Sequence, residues 1–427
     1  MAPAQNIKSL LVKSRATTVP VLQKLLQQIG CASSGRKDIL HARVLKAAAP
    51  HAIGQMQGTR ILSIDMGIKN LAYCVAKIKQ SSPKTQAVGM DILAWRRLDL
   101  TEETWKESER PEEEVVEEEI VEEKIEESEE GDPFSPKNLS STAYRLVGEL
   151  LKHKPDVILI ERQRWRTSSS SAIQQWTVRV NSLEAMLWAM FTAYLRQSSS
   201  SNSSMHSMDP KRVGTYWLDG MLIDDTPKTP KKRTKKSTVD IDVEEEEEEE
   251  ITVKKMSRGK AEKKAKIQLL RAWLDSDNPS TTLYAPANGE ETIIPRPEIS
   301  FRFVSSGAQK ADNPVVARES LLWATNPPAT RAKRQNVQKA DKKMDDITDC
   351  FLQAAAYVAW EESLVEFRKQ TAQFVRDLGK ELGRGDQTLE EVVEEYGLVM
   401  AEKEMAEPKK KSTKPRKSRK KAEVEVE

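Results

Sequence analysis

Three apolar runs packed into residues 60–97 constrain this chain more than any other feature. They cover residues 60–64, 71–78 and 87–95, and the first ends at Asp65. The links, 66–70 and 79–86, carry Gly67, Asn70, Ser81, Ser82 and Pro83 as turn-forming residues. A parallel return needs a crossover of a dozen or more residues, so links this short predict three antiparallel strands. A four-residue apolar run, 157–160, follows Pro155 and ends at Glu161, which predicts a buried central strand. Helices are expected at 140–153, with Ser140 or Ser141 as N-cap, and at 173–194, where Ile173, Trp176, Val180, Leu183, Leu187, Phe191 and Tyr194 form an apolar face. Residues 205–217 suggest a strand and a turn around Pro210, Lys211 and Arg212. Helical patterns return at 260–274 and 340–363, the latter through Ile347, Phe351, Ala354, Ala355 and Val358. Residues 299–304 alternate like an isolated strand. Without its insertions the order reads β-β-β-α-β-α-β, then a last long helix.

The composition is too polar for a chain that is compact throughout. Charged residues make up 31% and hydrophobic residues 38% of 427, against roughly 25% and 45–50% in ordinary domains. The excess is concentrated in tracts. Residues 102–130 hold 16 Glu against three basic residues, and 244–250 is unbroken Glu. The stretches 102–132 and 226–258 are therefore expected to be disordered insertions. The net charge of +2 is a cancellation; outside these tracts the chain is basic, which points to a polyanionic partner, nucleic acid first. The acidic tracts would then compete with DNA for the basic surface. No apolar run reaches membrane-spanning length, so a membrane helix is not expected. Three scattered cysteines exclude a disulfide framework. The four histidines (His41, His51, His153, His206) have no ligand-like spacing, so any metal must be held by carboxylates.

Residues 1–50 contain one acid, Asp38. Two helical patterns, 21–29 and 37–49, are joined by residues 30–35. An acid-poor, Ser- and Arg-containing start reads as a mitochondrial transit segment; the helix pair reads as a small module with a basic rim. The two readings coexist if residues 1–16 are the address and 17–50 the module.

Acids stand at three telling places: Asp65 and Glu161 at strand ends, and Asp345, Asp346 and Asp349 opening the last helix. In open α/β sheets, sites gather at the carboxyl ends of neighbouring strands. Asp349 shares a helix face with either Asp345 or Asp346, at i, i+4 or i, i+3. Each acid alone has an ordinary structural explanation; their joint placement is the signal. Carboxylates gathered at one point repel unless a cation holds them, and all-oxygen ligation suits Mg²⁺ or Mn²⁺. Two such ions about 3.5–4 Å apart clamp a phosphodiester between an attacking water and a leaving oxygen.

The strings SIDMGIKNLAYC (63–74), IERQRWR (160–166), DPKRVGTYW (209–217) and KKMDDITDCFLQ (342–353) resemble the fungal mitochondrial Holliday junction resolvases of the RNase H-like superfamily. That resemblance implies an α/β RNase H-like fold: a mixed five-stranded sheet, three antiparallel strands then parallel ones, flanked by helices. It implies a catalytic domain at 58–365, a SAP-like DNA-binding module at 17–50, and a tail, 366–427, helical and then disordered and basic. It further implies a Mg²⁺-dependent endonuclease (Mn²⁺ substituting) that resolves four-way DNA junctions by paired symmetric nicks, as a mitochondrial homodimer with no small-molecule substrate. Carried onto this chain, Asp65, Glu161, Asp345 and Asp349 are metal ligands, with Asp346 the alternative to Asp345. Lys342 and Lys343 contact a phosphate or assist the transition state. Lys69, Arg162, Arg164, Arg166, Lys211 and Arg212 are candidate phosphate contacts, and Arg36 and Lys37 belong to the N-terminal module. Trp165 stacks on a base or packs internally.

Three rivals share parts of this pattern. An actin-like or sugar-kinase-like ATPase also has an Asp-x-Gly after its first strand, but needs further Gly-rich loops, and no Gly-Gly dipeptide occurs here. A noncatalytic DNA-binding protein would have no need of the full acid set. A nuclease of the same fold acting on flaps or RNA–DNA hybrids is separated only by substrate competition.

Overall fold

The computed structural model describes residues 11, 17–49, 56–79, 87–101, 134–163, 175–197, 203–218, 258–275, 297–304, 312–323, 344–381 and 391. They belong to two compact units: residues 1–23, 34–50 and 367–427, and residues 24–33 and 51–366.

The larger unit is built on strands β1 (Arg60–Asp65), β2 (Leu71–Lys79), β3 (Val88–Leu98), β4 (Val157–Glu161), β5 (Ser204–Met208) and β6 (Ile299–Phe303), in the order β5-β4-β1-β2-β3-β6. Strands β1, β2 and β3 are antiparallel, as their short links require; β4 and β5 lie parallel on the β1 side. This succession is the RNase H-like core, with one strand added. The expected five-stranded sheet is thus corrected to six: the run at 299–304 pairs parallel with β3 through Val88 and Ile299. Sequence proximity could not reveal that pairing. It covers an edge of β3 whose amides would otherwise be unpaired.

Each face of the sheet has its own core. On one face pack α5 (Pro210–Leu218), α6 (Arg258–Leu274), α7 (Pro314–Trp323) and the first part of α8 (Met344–Glu381). On the other pack α3 (Pro136–Leu151) and α4 (Gln175–Gln197). Burial on both faces explains why β1 and β2 read as near-continuous apolar runs rather than alternating ones.

The capping details differ from the sequence reading. Helix α3 begins at Pro136 with Ser135 as N-cap, its hydroxyl accepting from the Asn138 amide, and not at Ser140 or Ser141. Proline is favoured at the first helical position, where an amide would have no partner. The same rule converts the expected turn at Pro210 into the start of α5. Helix α7 lacked a readable signal in the sequence, and α8 extends well past residue 363.

The smaller unit contains α2 (Lys37–Ala48), the start of α1 (Val19–Gln28) and the last part of α8. Helix α2 buries Leu40, His41 and Val44; the His41 ring bonds the Leu11 carbonyl, and Arg368 donates to the Ala47 carbonyl. The insertion 102–132 lies outside the described residues, as do 226–257 and, apart from residue 391, everything after residue 381. Arg258, assigned to the second insertion, opens α6. Among the described residues no helix is long and apolar enough to cross a membrane.

Candidate active site

Strands β1 and β4 are parallel neighbours with Ile64 opposite Ile160, so Asp65 and Glu161 leave the sheet side by side. Helix α8 is pinned across the same edge. Ser63 donates to the Cys350 carbonyl at 2.8 Å, and Gln353 donates to Ser63 and to the Ile64 carbonyl. Trp95 donates to the Ile347 carbonyl and Trp217 to that of Leu352, both at 2.9 Å. These bonds fix the register of the first turns of α8 against β1. The helix therefore delivers Asp346 and Asp349 to Asp65.

Electrostatics report the convergence. Asp65 is buried, 8% exposed, and burial holds its carboxyl well above the usual range. The Glu161 charge, a hydrogen bond shared with Glu161, and the charges of Asp349 and Asp346 push it further in the same direction. Asp346 is pushed up to about 7, by burial first and then by Asp345. Asp349 is raised by burial despite Lys266 drawing it down. Glu161 accepts from the Gln163 side chain at 3.0 Å and lies 3.4 Å from the Met66 amide.

Two lysines of α6 complete the cluster, and the sequence reading gave neither a role. Lys266 is 7% exposed and sits 3.0 Å from Asp349; Lys263 pairs with Asp345 at 2.5 Å. Burial acts to lower the Lys266 ammonium, but Asp349, Glu262 and Glu161 outweigh it and the group is raised. A signal for Lys266 did exist. It falls on the apolar face of α6, in an i, i+3, i+4, i+7 series with the buried Leu269, Leu270 and Trp273. A lysine at such a position needs a buried acid.

Of the two acids left open in the sequence, Asp346 is the one whose charge acts on Asp65, while Asp345 faces Lys263. One Asp345 oxygen, Oδ1, is buried without a hydrogen-bond partner among the described residues. As the side chains stand, no three acidic, histidine or cysteine groups among the described residues are arrayed around a common ion position. The donor set nonetheless suits a hard divalent cation: it is all carboxylate, mutually repelling, with one orphaned oxygen and two ammonium groups now supplying the positive charge.

The remaining expected residues divide. Lys69 and Arg162 border a cavity of about 410 Å³ beside Glu161 and Asp346; Arg162 also pairs with Asp209 at 2.6 Å. Lys211 is exposed next to it on α5. Arg212 is half-buried and donates to the Gly30 carbonyl at 2.7 Å. Gly30 has φ +67, and a Cβ there would collide with the Trp360 ring, so glycine alone fits. Arg36 is exposed in the smaller unit beside Asp38, and Lys37 opens α2 there. Arg164, Trp165, Arg166, Lys342 and Lys343 lie outside the described residues.

A mixed sheet of this order with an acid cluster at the β1–β4 edge defines a protein of the RNase H-like nuclease class. The particular family follows from comparison with known proteins. The sequence profile described as mitochondrial resolvase Ydc2 / RNA splicing MRS1 matches residues 61–367, and the chain belongs to that family. The mitochondrial cruciform cutting endonuclease 1 of Schizosaccharomyces pombe is 29% identical over 222 residues, 51% of this chain and 72% of that protein. Its namesake in Saccharomyces cerevisiae is 25% identical over 180 residues, 40% of this chain and 43% of that protein. The crystal structure of the yeast mitochondrial Holliday junction resolvase Ydc2 aligns with a TM-score of 0.43 at 22% identity, covering 84% of this chain and 99% of that one.

Proposed function

We propose that this protein is a mitochondrial endonuclease that resolves four-way DNA junctions with Mg²⁺ as its cofactor. The observation that carries the reading is the pairing of Asp65 with Glu161 at adjacent strand ends, under the charges of Asp346 and Asp349, in a chain of the resolvase family. The compartment is the one in the names of both cruciform-cutting relatives. Asp65, Glu161, Asp349 and either Asp346 or Asp345 would hold the metal. When bound, a divalent cation supplies positive charge to the scissile phosphate and lowers the pKa of an attacking water.

The chain's own residues do the rest. Glu161, held by Gln163, keeps its carboxylate turned toward Asp65. Lys266 and Lys263 neutralise the helix acids, so the cluster can form before any cation or DNA arrives. Lys69 and Arg162 place exposed cations beside the acids, where they would hold the phosphates on either side of the reacting one, and Lys211, exposed on α5, would add a further phosphate contact. Helices α1 and α2 would serve as the DNA-binding module, with Arg36 and Lys37 on its rim. A homodimer would supply two such centres and so paired nicks.

The test is cleavage of a mobile four-way DNA junction, with and without Mg²⁺, beside linear duplex, flap, RNA–DNA hybrid and structured RNA. Symmetric paired nicks confined to the junction and dependent on metal are expected. Preferential cutting of flap or hybrid would move the substrate. Binding to structured RNA with no cleavage of any DNA would place the protein with the splicing branch in the family's description.

A further inference from the structure

One more carboxylate, Glu184 in the middle of α4, stands behind the acid cluster and is half-buried there. It accepts from the backbone amide of Gln163 at 3.2 Å. The Trp188 side chain, one turn further along α4, bonds the same carboxylate. Gln163 in turn folds its side chain back and donates from Nε2 to Glu161 Oε2 at 3.0 Å. The Met66 amide approaches that same oxygen at 3.4 Å. The backbone is leaving the sheet at this point. Strand β4 ends at Glu161, and the Arg162 amide still bonds the Met208 carbonyl of β5 at 2.8 Å. The Gln163 amide is past the ladder and is held by Glu184 instead. The placement has an electrostatic cost. Burial first, and then the Glu161 charge, raise the Glu184 carboxyl, against the pull of Gln163, Trp188 and Arg162. What a carboxylate gains for that cost is a charge-assisted bond, which grips a backbone N–H more tightly than a neutral acceptor does.

We infer that Glu184 is a positioning residue for Glu161: it fixes the Gln163 backbone, Gln163 holds Glu161 by Oε2, and Oε1 is left to a divalent cation. Glu184 acts through Gln163 and is not itself a ligand. A glutamate has three rotatable bonds, and freezing them when a metal arrives costs entropy. A carboxylate already ordered in the metal-free protein avoids that cost. Loss of such an outer partner typically weakens metal affinity by about 10–100-fold. The inference rests on the metal-dependent nuclease reading above.

The test uses full-length wild type, Glu184→Ala, Glu184→Gln and Gln163→Ala, each titrated with Mg²⁺. Two quantities are followed: the Tm of the DNA-free protein, and the nicking rate of a four-way junction at saturating DNA. In Glu184→Ala the Mg²⁺ midpoint should rise by on the order of tenfold in both, with junction affinity unchanged and the rate recovering at high Mg²⁺. Gln163→Ala should shift the midpoint similarly, and the double variant no further, because the two residues act in one series of bonds. Glu184→Gln, which keeps an oxygen acceptor without the charge, should fall between alanine and wild type. A purely structural Glu184 would lower the Tm in chelator and leave the Mg²⁺ midpoint where it was. Glu184→Met, which keeps the bulk and removes the acceptor, replaces Glu184→Ala if the alanine variant unfolds. A wild-type Mg²⁺ midpoint in a folded Glu184 variant lacking the acceptor overturns the assignment and leaves the nuclease reading intact. A wild type that Mg²⁺ does not stabilise and that nicks no junction overturns both.

Discussion

Lys266→Met removes the most deeply buried cation in the acid cluster while keeping an unbranched apolar stem one atom shorter. Lys266 is 7% exposed and its partner Asp349 retains 27% side-chain exposure at 3.0 Å. Breaking a fully buried pair by deleting one partner costs about 3–5 kcal/mol. Asp349 moderates the loss, because its carboxyl is already raised and can take up a proton once unpaired. The expected destabilisation is therefore about 2 kcal/mol, which corresponds to a fall in Tm of about 4–8 °C for a unit of this size. The assay is thermal melting of the wild type and the variant, each with and without excess Mg²⁺. A bound cation would restore the missing positive charge and stabilise the native state by mass action, so the deficit should shrink when Mg²⁺ is present. An equal Tm without metal would refute the claim that Lys266 neutralises the cluster. A deficit that Mg²⁺ leaves untouched would remove Asp349 from the ligand set.

Other consequences are as direct. Trp95→Phe keeps the aromatic packing on Phe351 but removes the indole donor to the Ile347 carbonyl, which still accepts from the Cys350 thiol; a loss of about 0.5–1.5 kcal/mol is expected by denaturant titration. Asp91 is held below its ordinary pKa of 3.8: burial acts to raise it, but hydrogen bonds from Arg302 and Lys79 prevail. A depressed carboxylate stabilises above its unfolded pKa and loses that contribution as pH falls through the folded value. Asp91→Asn should thus be less stable near neutrality, by about 1 kcal/mol because both partners are solvent-screened, with the difference vanishing in acid. Asp346 has the opposite sign. Raised to about 7 from 3.8, it makes the metal-free protein lose stability as pH climbs through that window. Asp346→Asn should remove that slope, matching the wild type near pH 4 and exceeding it above pH 7 in chelator. A parallel pair of stability curves would count against the burial and the Asp345 charge that raise it.

The parts of the fold legible in the sequence were those set by local rules. Short links dictated the antiparallel β1–β2–β3, and a four-residue apolar run ending in Glu161 marked a strand buried on both faces. With those elements in order, Asp65 and Glu161 fell together at the sheet's edge. What escaped depends on long-range partners. Strand β6 is five residues long and pairs with β3 some 200 positions earlier, so nothing near it announces a neighbour. Helix α6 was found, but its lysines acquire meaning only against acids more than 80 residues away. Asp345 and Asp346 are adjacent on one turn, and periodicity admits either beside Asp349. Only the register imposed by Ser63, Trp95 and Gln353 on α8 distinguishes them.

The central claim is that Asp65 organises a metal-dependent cut in junction DNA. It is tested most directly by comparing wild type and Asp65→Asn for binding and cleavage of the same four-way junction in Mg²⁺. The account predicts equal affinity, since the basic surface is untouched, and loss of both nicks in the variant. Full cleavage by Asp65→Asn would contradict it.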